Sequence, residues 1–482
     1  MAYDAGPRGA CRGRREERLL SDAARIVVVG AGPAGVRAAQ ALVESGVRPV
    51  LVEEGERDGG QIYRRQPEGF RRSGVELYGS DAAKAAALHR AFDALRTRID
   101  YRGGTLAWNL TPHALHVVRG TAADTIDFEA ILVWAGATDR VAPVPGWQHA
   151  GCYSLGAAQI ALKAQACAVG ARVAFLGSGP LLYLVANQYL RAGATVAAVL
   201  DTASPAIRWR ALVGLLARPA LVRRGWAMLR ALRRARVPLL RGVSPVAIEG
   251  EGTQGVTAVS ARDARGQVQR FEADAVALGW HLRPEAQLAD LAGCDFAFDS
   301  ASRQWLPRAD PDGRSSVHGV YLAGDGARIL GADGAETTGR LAALAALADL
   351  GHAAGSALYA REGPRLRRAL VGMERFRIGI ASAFPWPREY VTALADDAVV
   401  CRCEVVTAGE LRRAIRECGS REVNRAKAFS RVGMGRCQGR YCGHAAAEIV
   451  AAAAGVEIDS ASRLRTQAPV KPLTMNLREA SA

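Results

Sequence analysis

Arg25-Ile-Val-Val-Val-Gly-Ala-Gly-Pro-Ala-Gly35 decides the fold. The β-branched run Ile26–Val29 predicts a buried strand, and it enters Gly30-x-Gly32-x-x-Gly35. Pro33 and Ala34 open an amphipathic helix that the apolar spacing carries to about Ser45. The first glycine permits a tight turn, and the second lets backbone approach a pyrophosphate. The third lets helix and strand pack closely, so that the positive helix end faces the anion. A second strand, Pro49–Val52, ends in Glu53, where an acid accepts hydrogen bonds from ribose hydroxyls. These residues are the candidate walls of a dinucleotide site.

Three later segments point to FAD. Gly59-Gly60-Gln61, with Arg64 just beyond, follows Glu53 where two-dinucleotide-binding flavoproteins pass the chain beneath the flavin. Ile131–Gly146 reads as a buried strand, a small-residue turn at Gly136 and a proline-rich exit. It resembles the Ala-Thr-Gly crossover of those enzymes, with Ala135 where threonine is usual. Gly319–Asp325 is a strand ending in Gly324-Asp325, the acid expected to hold the ribitol or pyrophosphate end of FAD. A helix predicted from about Gly334 would aim its positive end at the flavin pyrimidine.

Between these half-sites lies a second unit of the same kind. The strand Ala171–Gly177 leads into Gly177-x-Gly179-x-x-Leu182, and a strand from Thr195 to Leu200 ends at Asp201. Its place is that of the NAD(P)H domain in glutathione and thioredoxin reductases. Leu182, standing for the third glycine, predicts a helix pushed off its strand. Asp201 favours a free 2′-hydroxyl over a 2′-phosphate. Three states stay open: NAD(H) as redox substrate, a structurally held NAD(H)- or ATP-like nucleotide, or an empty relic. No Cys-x-x-Cys or Cys-x4-Cys pair accompanies either unit, which excludes flavin–disulfide chemistry.

Of nine cysteines, Cys11, Cys152, Cys167, Cys294 and Cys418 are scattered. Cys401-x-Cys403 and Cys437-x4-Cys442 are separated by 33 residues that read mainly as helix, Ala408–Glu417 and Val423–Phe429. Four thiolates are what a [2Fe–2S] cluster requires. The glycines around Cys437 leave amides free to point at sulfur, and a helix from about His444 adds its positive end. Structural zinc is the rival, although a Cys-x-Cys pair is uncommon in such sites, and four free thiols are the third alternative.

The chain has 482 residues, a formal charge of +16 and 49% hydrophobic residues, enough for several domains. The arginine bias runs along the whole chain without a zinc-finger or RNA-binding signature, which argues against nucleic acid. One concentration, Arg208–Arg241, carries Leu212, Leu215, Leu216, Leu221, Trp226, Leu229 and Leu232 at helical spacing. It reads as a solvated helix face, with a docking surface for an acidic partner as the alternative. No run approaches the ~18 apolar residues of a membrane span. Residues 1–23 lack an apolar signal core and read as the disordered lead-in of a cytoplasmic protein.

Taken together, Gly30–Gly35, Gly59-Gly-Gln-Ile-Tyr-Arg64, Gly136-Ala-Thr-Asp-Arg140, Gly177-Ser-Gly-Pro-Leu181, Leu282-Arg-Pro284, Gly324-Asp325, Cys401-Arg-Cys-Glu404, Cys437-Gln-Gly-Arg-Tyr-Cys-Gly443 and the Pro469–Pro472 tail carry a resemblance. It is to the FAD-binding large subunit of the opine oxidase family, which includes hydroxyproline dehydrogenase and hydrogen cyanide synthase subunits. The cysteine segment resembles the bacterioferritin-associated-ferredoxin-like module. Ala135 and Arg436 depart from the pattern without removing a ligand. The resemblance implies an α/β protein of two Rossmann-like domains, one inserted in the other, plus a small α-helical [2Fe–2S] domain. The expected order is an FAD domain (24–148 and 281–355), an insert (149–280), a helical connector (356–398), the cluster domain (399–460) and a docking tail (461–482).

The resemblance also implies a division of labour. A partner amine-oxidising flavoprotein subunit, with or without a small ferredoxin-like subunit, oxidises a C–N bond. The chain relays the electrons through FAD and cluster to an external acceptor. Two alternatives stand beside it: a self-sufficient NADH-dependent flavin oxidoreductase, and a ferredoxin-like or iron-handling adaptor with scaffold Rossmann domains. No acid, base or nucleophile is assignable. His281 and Arg283 are placed either near the flavin or in structural roles.

Overall fold

The computed structural model describes residues 25–206, 209–251 and 255–479. The expected lead-in, together with Cys11 and Arg208, lies outside the described residues. The chain begins with β1 (Ile26–Val29), α1 (Pro33–Glu44), β2 (Val50–Val52), β3 (Asp100–Arg102) and β4 (Ala130–Val133). The inserted unit contributes β5 (Cys152–Ser154), β6 (Arg172–Ser178), α2 (Pro180–Arg191) and β7 (Thr195–Asp201). It continues with α3 (Trp209–Leu215), α4 (Pro219–Arg234), β8 (Leu239–Arg241) and β9 (Ala275–Trp280). The chain then returns through β10 (Val320–Leu322), α5 (Gly331–Asp349) and α6 (Ala353–Ala383). It ends in α7 (Ala408–Cys418), α8 (Val423–Ser430) and α9 (Gly443–Ala454).

The first sheet has the order β10–β4–β1–β2–β3, parallel throughout, with Val28 paired to Leu51 on one side and Leu132 on the other. Ile26, Val27 and Val28 are all but inaccessible, as expected of a parallel strand covered on both faces. Each such side chain contributes roughly 1.5–3 kcal/mol of burial free energy. Helix α5 closes on α1 at Gly339, where a Cβ would stand 2.3 Å from the Ala34 carbonyl oxygen. It starts at Gly331, three residues earlier than the sequence predicts.

The second sheet, β8–β7–β6–β9–β5, is also parallel. Leu182 does not push α2 away. It is fully buried among Val173, Phe175 and Val199, so it serves as core.

Helices α7, α8 and α9 form the C-terminal module. Thr407 and Glu410 cap α7 reciprocally, and Gly419 ends it in the left-handed conformation. The apolar sides of α7 and α9 share one core with the inserted unit through Trp147 and Trp386. The Trp147 indole donates to the Val399 carbonyl at 2.6 Å, tying the module down. The final segment folds back on the chain: Val470 is buried, its amide donates to the Trp108 carbonyl at 3.0 Å, and Arg478 pairs with Ala122. Its docking is thus to its own first domain.

Candidate functional site

A cavity of about 340 Å³ runs from the first glycine loop to the cysteine module. Gly30, Gly32, Pro33, Ala34, Gly35, Glu53, Gly60, Gln61, Arg64, Gly136, Gly324 and Asp325 all line it. Gly35 must be glycine because a Cβ there would sit 1.8 Å from the Gly30 carbonyl oxygen. Above Gly32 a Cβ would meet only the Gly60 Cα, at 3.6 Å, leaving space at the α1 N-terminus.

Glu53 stands at the end of β2, and its carboxylate accepts from the amides of Ala31 (2.6 Å) and Gly55 (2.8 Å). Burial pushes its carboxyl up, while those amides and Arg64 pull it back. Asp325 accepts from the amides of Leu330 (2.9 Å) and Gly331 (3.1 Å), which fixes the start of α5 at the cavity wall. Burial raises its pKa too. Gln61 donates to the Ala137 carbonyl at 3.1 Å, joining the Gly59-Gly60 loop to the crossover strand. The buried Arg64 Nε, Trp134 Nε1 and Gln287 Oε1 line this cavity without a partner in the protein. A positive helix end, open space over Gly32 and three unsatisfied polar atoms fit an extended, anionic, hydrogen-bonding cofactor such as FAD.

The second glycine loop is built differently. A Cβ on Gly177 would stand 1.8 Å from the Gly279 carbonyl oxygen, so β6 and β9 press together there. The His281 ring roofs Gly179, within 3.0 Å of where a Cβ would be. That ring is fixed by a 2.8 Å contact of its Nε2 with the Phe384 carbonyl. Burial pulls its pKa down to about 4. Asp201 is fully buried, and its carboxylate is spent on the Tyr183 hydroxyl and on the Ala203 amide at 2.9 Å. The expected ribose contact of Asp201 is therefore corrected: the acid is an internal acceptor, because Tyr183 on α2 reaches it first. His281 is packed between Gly179 and the Phe384 carbonyl.

The four cysteines converge. Cys401 ends the short strand Val399–Cys401 and Cys403 lies in the turn after it, while Cys437 and Cys442 come from the loop before α9. Thiol contacts run from Cys401 to Cys442, on to Cys437, and from there to Cys403. Among the described residues no three His, Cys, Asp or Glu groups close around a single point as a one-ion shell. Cys442, then the amides of Gly433, Glu404 and Cys403, bring the Cys401 thiol down to about 6. Cys442 and the amides of Tyr441 and Gly439 act likewise on Cys437, which falls to about 5. Amide N–H groups aimed at sulfur and the α9 N-terminus suit a cluster that carries net negative charge. Cys442 is buried and Cys403 exposed, so the site has an inner and an outer edge.

Arg440, between Cys437 and Cys442, was not singled out by the sequence, although the motif brackets it. Its guanidinium forms a two-point pair with Glu285 (2.8 and 3.2 Å) and donates to the Val470 carbonyl at 2.7 Å. Both Arg440 and Glu285 line the large cavity. Arg283 donates to the Arg440 carbonyl at 2.9 Å, and Gln287 to that of Gln438 at 3.0 Å. Burial lowers the Arg283 pKa, against which Glu285, Cys437 and Cys442 hold its charge. Through Arg440 the cysteine loop thus reaches the wall of the nucleotide cavity.

Comparison with known proteins agrees with this geometry. Residues 24–346 match the pyridine nucleotide-disulphide oxidoreductase family, and residues 399–452 match the BFD-like [2Fe-2S] binding domain. An opine oxidase subunit of Agrobacterium tumefaciens (strain Ach5) is 37% identical over 475 residues, covering 95% of this chain and 91% of its own. Its counterpart of the same name in Rhizobium meliloti is 36% identical over 471 residues, covering 93% and 86%. Hydrogen cyanide synthase subunit HcnB of Pseudomonas aeruginosa is 32% identical over 429 residues, covering 87% and 90%. The L-proline dehydrogenase of P. horikoshii shares the fold with a TM-score of 0.68 at 19% identity, over 94% of this chain and 78% of that one. The chain therefore belongs to the pyridine nucleotide-disulphide oxidoreductase family, among the opine oxidase subunit homologues, and is an FAD-dependent oxidoreductase with a BFD-like [2Fe–2S] domain.

Proposed function

We propose that this chain is the electron-transferring subunit of a heteromeric dehydrogenase acting on the C–N bond of an amino acid or opine. In this reading residues 24–148 and 281–355 hold FAD, residues 149–280 are a nucleotide-free insert, and residues 399–460 hold the cluster. Residues 356–398 connect the two, and residues 461–482 are the tail. The observation that carries it is the shared wall: Arg440 sits between two cluster cysteines and also lines the flavin cavity. FAD supplies two-electron chemistry, and a [2Fe–2S] cluster takes one electron at a time.

The residues of the chain divide the remaining work. Gly32 and the α1 N-terminus would receive the pyrophosphate, and Glu53 would face the ribose with the lone pairs its two amide bonds leave. The start of α5, held by Asp325, would face the flavin ring. Arg440 clamps the cysteine loop to Glu285, and the buried Cys442 edge faces inward. The exposed Cys403 edge, flanked by the exposed Val405 and Met434, is the exit toward an external acceptor. The covered Gly179 speaks against NADH as electron source.

The test is purification of the tagged chain from its native host, identification of the co-purifying subunit, and assay with and without it. Proline, hydroxyproline, glycine and opines are offered with an artificial electron acceptor. Turnover only in the presence of a second flavoprotein subunit supports the proposal. Substantial turnover by the chain alone overturns it.

A further inference from the structure

Helices α3 and α4 have no role in either cofactor site. At the crossing of α3 with α6, a Cβ on Gly214 would lie 2.6 Å from the Gly379 Cα, and one on Gly379 would lie 2.7 Å from the Gly214 carbonyl carbon. Two glycines thus let the helices touch backbone to backbone and fix which side of α3 is turned outward. That side carries Leu212 and Val213, with Leu216 just past its end, joined by Trp226 of α4 and by Val371 and Ile378 of α6. All six are between 45% and 64% exposed. A solvated helix with an apolar underside would bury these residues. Among the described apolar residues of α3 and α4, Ala211, Leu215 and Leu232 are the deeply buried ones.

The charge around this strip has one sign. Between Thr202 and Ile248 the sequence has ten arginines and no Asp, Glu or Lys. Arg218 and Arg224 pair inward with Asp333 and Asp81, and Arg241 lies 3.7 Å from Asp201. Arg223, Arg230, Arg233, Arg234 and Arg236 are exposed and have no carboxylate partner among the described residues. A second copy of the same surface would be repelled by these five cations. Protruding aromatic and aliphatic side chains flanked by uncompensated arginines are what a helix needs to lie in the headgroup region of an anionic bilayer. A protein partner anchors on pockets that close around an inserted side chain. Here Trp226, 62% exposed, is itself one wall of a groove that it lines with Val222, Arg223, Ala227 and Arg230.

We propose that α3 and α4, with the adjoining face of α6, form a peripheral docking surface for an anionic lipid bilayer. The exposed apolar residues enter the interface and the α4 arginines meet lipid phosphates. No helix among the described residues is long and apolar enough to cross a membrane, so the contact is with the membrane surface.

The test uses the purified full chain and sedimentation with two kinds of vesicle: phosphatidylethanolamine with phosphatidylglycerol, and phosphatidylcholine alone. The expected result is partition onto the phosphatidylglycerol vesicles only, reversed by high salt. Trp226→Glu, Leu216→Glu and the double variant R230E/R233E should each weaken partition roughly tenfold, with flavin and iron contents unchanged. Val268→Glu, an exposed position outside these helices, should leave it unaltered. Absence of partition, equal partition onto phosphatidylcholine, or variants that partition like the parent would overturn the proposal. If the parent ignores both vesicles while the same variants lose a co-purifying acidic protein, the face belongs to that protein instead.

Discussion

Replacing Arg440 by methionine removes a guanidinium that makes a two-point pair with Glu285 and caps the Val470 carbonyl. The two side chains are 10% and 13% exposed, so solvent screens the pair weakly. Removing one member of a buried pair strands the other charge and costs about 3–5 kcal/mol. Glu285→Gln should cost a similar amount, since Arg440 then stands beside Arg283 without its carboxylate. The double variant strands neither charge, so it should cost well below the sum of the two single variants, a coupling on the order of 3 kcal/mol. The assay is denaturant unfolding of the reconstituted protein, followed by cluster absorbance and by flavin fluorescence. In the Arg440→Met protein the cluster signal should be lost at lower denaturant, before the flavin is released. Additive single effects, or coincident unchanged transitions, would refute the clamp.

Serine at Cys401, Cys403, Cys437 or Cys442 should degrade the signal of a cluster with about two irons and two sulfides per chain; Cys167→Ser and Cys418→Ser should not, as metal analysis and EPR of reduced protein will show. Gly32→Val should strip most FAD during purification, because the branched side chain fills the open space at the α1 N-terminus; absorbance of the purified protein reads this out. Anaerobic NADH should leave the flavin oxidised, and stoichiometric bleaching would show that the His281 roof opens. Lys163 lies buried with its ammonium donating to the Ile62 carbonyl at 2.9 Å, and burial lowers its pKa from 10.5 to about 7. Between those values the unfolded chain binds more protons than the native one, so Lys163 makes stability rise from pH 7 toward 10.5. Thermal unfolding of Lys163→Met across that range should lack this slope.

The glycine loops, the four cysteines and the helices between them were legible in the sequence because each is a local pattern with a fixed steric or ligand requirement. Gly35 is the clearest case, since its neighbour at 1.8 Å is only five residues away in the chain. What stayed hidden depends on distant residues meeting. The Arg440–Glu285 clamp joins positions 155 residues apart. His281 covers Gly179 because it leaves β9 with φ of +66°, which no motif announces. The position of Asp201 at a strand end suggests a ribose acceptor, but Tyr183, a turn into α2, takes the carboxylate inward. Helical spacing revealed the apolar positions of α3 and α4 and could not say whether protein covers them.

The most direct test of the account follows electrons within one chain. Anaerobic protein carrying both cofactors is reduced at the flavin by a light pulse with a deazaflavin donor, then frozen at increasing times for EPR and optical spectra. If the cysteine loop reaches the wall of the flavin cavity through Arg440, the reduced-cluster signal rises as the flavin returns toward its oxidised spectrum, and it does so far more slowly in Arg440→Met. A cluster that stays oxidised beside a persistently reduced flavin would contradict the relay.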